Sequence, residues 1–104
     1  MGEYSIVVSD LAKQDIRDTA TYIEYDLQEP KVAEKNTEAI ISAILTLEDM
    51  PERIGFMRDE RLASKQIRGL QVKNYTIFFR INKVIKTVEI VRVIYSRRDW
   101  AALL

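Results

Sequence analysis

Near its C-terminus the chain carries Tyr95-Ser96-Arg97-Arg98-Asp99-Trp100. Two adjacent guanidinium groups beside a phenol and an indole can clamp a phosphate and stack a base, which is how many RNA-facing sites are furnished. Lys65, Arg68, Lys73, Arg80 and Arg92 precede this cluster and extend its positive charge along the chain. Taken one residue at a time, an ion pair of Arg97 or Arg98 with Asp99, and a core position for Trp100, are the better account. Read together with the five upstream bases, the cluster describes a surface for a polyanion or an acidic protein segment. Neither cysteine nor histidine occurs. Disulfides, thiol nucleophiles, Ser-His relays and the usual zinc ligand sets are thereby excluded, and the sequence implies neither metal nor cofactor.

The net charge of zero, from 16 bases and 16 acids, conceals a division. Residues 1–50 carry a net charge of −7 and residues 51–104 a net charge of +7. Between Lys65 and Arg98 there are nine bases and a single acid, Glu89. A local basic field of this kind attracts anions whatever the overall sum.

The elements that must position these residues follow from periodicity. Tyr4-Ser5-Ile6-Val7-Val8 alternates as a strand, and Ser9 is a good N-cap for a helix. Ala12, Ile16, Ala20, Ile23 and Leu27 form one helical stripe. Gln28-Glu29-Pro30 interrupts it, and Pro30 suits the first turn of a second helix. There Ala33, Thr37, Ile40, Ile41, Ile44, Leu45 and Leu47 define a wide apolar face closed by Met50-Pro51. Residues 51–64 show no sustained period and read as a connection with a helical turn at 59–63.

From Lys65 onward, 66–72, 75–81 and 87–95 read as three strands joined by short connections, which pair antiparallel. The expected fold class is α+β, ordered β-α-α-β-β-β, with a helical hairpin on one face of a curved, mainly antiparallel sheet. The length, 104 residues, suits a single domain spanning 1–104. Strict alternation in the last strand assigns Val88, Ile90, Arg92 and Ile94 to one face and Glu89, Val91, Val93 and Tyr95 to the other. Both faces are largely apolar, implying cover on both sides or a partner for one. The expected binding surface is an apolar groove edged by arginines. Neither a membrane span nor a signal peptide is legible, so a cytoplasmic location without membrane association is expected.

Arg61-Leu62, Ile67-Arg68-Gly69-Leu70, the run Val72-Lys73-Asn74-Tyr75-Thr76-Ile77-Phe78-Phe79-Arg80-Ile81, and Val91-Arg92-Val93-Ile94-Tyr95-Ser96-Arg97-Arg98-Asp99 follow the helical hairpin. Together they resemble the RelE/ParE toxin superfamily over nearly the whole chain. The resemblance implies the toxin half of a type II toxin–antitoxin (plasmid stabilisation) system, held in a hetero-oligomer by a cognate antitoxin whose acidic or amphipathic segment fills the groove.

The resemblance implies two targets. The first is ribosome-bound mRNA, cut by a metal-independent endoribonuclease in which the RNA 2′-hydroxyl attacks the adjacent phosphate. Tyr95 would then transfer protons, Arg97 or Arg98 would stabilise the transition state, Arg68 would clamp phosphate, and Lys65, Lys73, Arg80, Arg92 and Trp100 would bind the RNA. The second is DNA gyrase, inhibited without catalysis. RNA-cleaving members often place an arginine directly after the tyrosine that begins the middle strand, where this chain has Thr76. A neutral hydroxyl does not replace a guanidinium. A degenerate toxin that keeps only antitoxin binding is the third reading. The ribonuclease is the first expectation, the gyrase inhibitor its alternative.

Overall fold

The computed structural model describes residues 2–96 and 103–104. Strand β1 (Ser5–Val8) leads into helix α1 (Asp10–Thr21), which runs on as a π-helical turn at Tyr22–Asp26. Helix α2 (Pro30–Leu45) starts on Pro30, as the sequence predicts, and ends in 3-10 turns at Thr46–Glu48 and Pro51–Arg53. A short helix, α3 (Glu60–Ser64), precedes β2 (Arg68–Val72), β3 (Tyr75–Asn82) and β4 (Thr87–Tyr95). The α+β class and the order of the long elements agree with the sequence reading, and α3 is the expected turn, capped by Asp59 through Arg61 N.

The sheet order is β1-β4-β3-β2. β2, β3 and β4 are antiparallel neighbours, whereas β1 lies parallel to β4, because the helical hairpin carries the chain across before the last strand returns. Ile40, Ile44, Leu47 and Ala12 pack onto Ile77, Phe79, Val88, Ile90 and Val93. This is the main core, and each large side chain buried there contributes about 1.5–3 kcal/mol. The opposite face of the sheet carries Phe78 and Ile94 under Leu62 and Ile67, with Met57, Leu103 and Leu104 packed alongside. The second apolar face is therefore covered by the chain itself.

Three expectations need correction. The wide face of α2 is narrower than its sequence suggests: Ile41 and Leu45 are 47% and 51% exposed, because Ala33, Asn36, Ile40 and Ile44 form the inward line. Leu27 is likewise half exposed, beyond the π turn that ends the first helical segment. The face assignment within β4 also fails after Ile90. Phe78 pairs with Arg92 and Phe79 with Ile90, so Val91 is an extra residue, a β-bulge. The bulge resets the alternation and turns Val93, instead of Arg92, toward the helices, where it joins Val88 and Ile90.

Candidate functional site

Ser9 connects the bulge to the helix start. Its N–H donates to Ile90 O (3.0 Å), its Oγ donates to Val91 O (2.8 Å), and the same Oγ accepts from Ala12 N (3.0 Å). The N-cap thus also satisfies the carbonyl of the bulged residue. One turn along α1, Asp15 accepts from Arg92 through both carboxylate oxygens, each at 2.8 Å, and from Val93 N at 2.9 Å. Both side chains are largely buried. The hydrogen bonds that Arg92 donates to Asp15 raise the pKa of its guanidinium, against an opposing effect of burial. Arg92 Nη1 also donates to Leu103 O (3.2 Å).

Arg68 is buried at the start of β2. Its Nη1 donates to Ile54 O (2.6 Å) and, more distantly, to Glu52 O (3.4 Å), and its guanidinium carbon lies 4.1 Å from the centre of the Phe56 ring. These groups pin the 51–56 connection to the sheet edge. Arg80 pairs with Glu89 across β3 and β4 at 2.9 Å, with both side chains about half exposed. Lys65 Nζ reaches Leu104 O at 3.3 Å. Lys73 occupies the β2–β3 turn with a left-handed φ of 53°. Tyr95 is 38% exposed, its ring 5.6 Å from that of Tyr75 at an interplanar angle of 58°. Thr76 is 5% exposed, its Oγ1 3.0 Å from Ser96 Oγ. Arg97, Arg98 and Trp100 lie outside the described residues.

These residues divide between two concavities. Lys65, Arg68 and Arg80, joined by Lys83, line a basic depression shared with Phe56 and Val7. Lys73 and Tyr95 line a separate groove between the tip of the helical hairpin and the ends of β3 and β4. Tyr22, Ile23, Leu27 and Val32 form its helical wall, and Tyr75, Tyr95 and Val93 its strand wall. Burial pushes the Tyr75 phenol above its ordinary pKa. Among the described residues, the members of the expected arginine-rimmed groove line two surfaces, one basic and one apolar. Arg92 is a cross-brace tied to Asp15.

Sequence reasoning missed Asp15, Asn36 and Tyr22. Asn36 had a signal, since it falls at the helical spacing of Ala33 and Ile40 and is a polar residue on an apolar line. Asp15 had none, because its partner is 77 residues away.

A family model described as "ParE toxin of type II toxin-antitoxin system, parDE" matches residues 6–100. Among solved structures, the chromosomal ParDE TA system from P. aeruginosa is similar with a TM-score of 0.73 at 19% identity, covering 88% of this chain and 95% of that one. The toxin-antitoxin complex RelBE2 from Mycobacterium tuberculosis is similar with a TM-score of 0.64, also at 19% identity, covering 88% of this chain and 96% of that one. No curated protein matches the chain. At these identities the solved structures establish a shared fold, and the family model carries the assignment.

Proposed function

Because the chain belongs to the ParE toxin family of type II toxin–antitoxin systems, within the RelE/ParE superfamily, we propose that it arrests growth as a non-enzymatic inhibitor of DNA gyrase, held inactive in a hetero-oligomer with a cognate antitoxin in the cytoplasm. What supports this reading is that, among the described residues, Arg68 and Arg92 are already engaged by the fold. A metal-independent ribonuclease site needs guanidinium groups free to meet a phosphate beside a proton-transferring group. Here Arg68 is held by backbone carbonyls and Arg92 by Asp15. Tyr95 lines a different concavity from Arg68. Thr76, at the position where RNA-cleaving relatives often carry arginine, is buried and faces Ser96. A docking surface requires none of these groups to act chemically.

The test is a supercoiling assay in which the purified chain is added to gyrase and relaxed plasmid. The expected result is lost supercoiling with accumulation of cleaved DNA. Unchanged supercoiling overturns the reading. Transcripts mapped by primer extension after induction give the second arm, where cuts at codon positions would return the assignment to the ribonuclease.

A further inference from the structure

We propose that the basic depression binds a nucleoside polyphosphate, its base stacked on Phe56 and its phosphates held by Lys65, Arg80 and Lys83. Such binding goes beyond the gyrase reading and depends on neither gyrase nor antitoxin. The depression has a volume of about 780 Å³, within the roughly 300–1,000 Å³ usual for small-molecule sites. It lies apart from the groove that holds Tyr95, and Thr76 does not line it.

Its charge points to phosphate. Four cations line it against one acid, Glu89, which is already bonded to Arg80 at 2.9 Å. Arg68 is held by the neutral carbonyls of Ile54 and Glu52, so its charge is not cancelled locally. Lys65 and Lys83 are exposed and the Arg80 side chain is about half exposed, so all three can meet a ligand. Lys65 gives up only a long bond of 3.3 Å to Leu104 O. Apolar walls at Val7, Ile81 and Ile85 strengthen the field, because low-dielectric surface around a cleft of one sign concentrates it. An anion of several charges matches this site better than a single carboxylate does.

Phe56 turns an anion site into one for a nucleotide. The Arg68 guanidinium carbon lies 4.1 Å from the centre of its ring and covers one face, yet Phe56 is 51% exposed and lines the depression. The other face is therefore a platform, fixed in place by the same arginine that the carbonyls hold. Nucleobases stack on such rings whatever their identity, since every base has a π-face. A nucleic-acid strand calls for a succession of aromatic platforms along a basic groove. Among the described residues, Phe56 is the single aromatic lining this one. One ring beside a compact cluster of cations fits a mononucleotide.

The test titrates the ¹⁵N-labelled whole chain with ATP in the presence of EDTA, followed by NMR. Saturable shifts are expected at the amides of Phe56, Lys65 and Lys83. ATP should bind about tenfold more tightly than inorganic tripolyphosphate, the contribution of one stacked base, and adenosine, which lacks phosphate, should give no saturable shift. Phe56→Leu should abolish the advantage of ATP and leave tripolyphosphate affinity unchanged, whereas Phe56→Tyr should retain it. Lys83→Ala, in the exposed β3–β4 connection, should weaken ATP and tripolyphosphate alike, and it serves if the Phe56 variants do not fold. Absent shifts, shifts confined to another surface, or equal affinities for ATP and tripolyphosphate would overturn the proposal. So would a single-stranded oligodeoxyadenylate that binds this surface more tightly than ATP, since the site would then belong to a nucleic-acid strand. The titration needs no gyrase, so its failure leaves the gyrase reading standing, and unchanged supercoiling leaves the nucleotide site standing.

Discussion

Asp15 and Arg92, 77 residues apart in the chain, are joined by two charge-assisted hydrogen bonds of 2.8 Å, and the same carboxylate accepts the N–H of Val93. This one side chain therefore fixes the first helix to the strand just past its bulge. Replacing Asp15 with Ala leaves a largely buried guanidinium and a backbone N–H without their acceptor. The expected loss is about 2–4 kcal/mol, read as a lower urea midpoint at neutral pH. An unchanged midpoint would show the pair to be incidental to the fold.

Ser9 closes the other side of the bulge. Ser9→Ala removes both the acceptor for Ala12 N and the donor to Val91 O. A destabilisation of about 1–2 kcal/mol is expected, whereas Ser9→Thr keeps a hydroxyl and should recover most of it. Hydrogen exchange provides the local check: the Ala12 amide should exchange faster in the alanine variant than in the threonine one.

What the sequence made legible was local. The Ser9 cap, the start of α2 at Pro30 and the strand spans 75–81 and 87–95 each depend on neighbouring residues, and each was readable to within a residue or two. The face exchange within β4 was not, because Val91 looks like any β-branched strand residue and its bulge is completed by Ser9 from the opposite end of the chain. Arg68 and Arg92 drew attention as part of a run of bases. Their partners, the Ile54 carbonyl in a connection without period and the Asp15 carboxylate in a distant helix, are known only after folding. Charge counting thus found cations correctly and could not separate those facing solvent from those holding the structure.

Arg68 is the sharpest test of that separation. In Arg68→Lys the planar donor set that meets Ile54 O and stacks on Phe56 is replaced by a compact ammonium. The expected cost is about 1–3 kcal/mol of stability, with gyrase inhibition falling only in proportion to the folded fraction. If a fully folded Arg68→Lys protein lost its inhibitory action, Arg68 would belong to the functional surface after all.

The Tyr4 hydroxyl donates to Glu52 Oε1, tying the first strand to the turn after α2, while Lys86 Nζ lies 5.2 Å from the centre of the Tyr4 ring. The hydrogen bond from Tyr4 holds the Glu52 carboxyl below its ordinary pKa of 4.5, and the same bond, helped by burial, holds the Tyr4 phenol above its ordinary 10.0. The signs are opposite. A depressed carboxyl pKa gives stability that is complete above 4.5 and is lost as pH falls through the folded-state value; a raised phenol pKa gives stability that is complete below 10.0 and is lost as pH rises through its folded-state value. Stability should therefore form a plateau between these limits and decline on both sides. Tyr4→Phe keeps the ring and deletes the bond, so it should lower the plateau and flatten both declines. Urea midpoints of the two proteins at about pH 3, 7 and 11, values that lie outside and between the two ordinary ionisations, provide the measurement. Parallel profiles for the two proteins would show that the pair contributes nothing to the pH dependence.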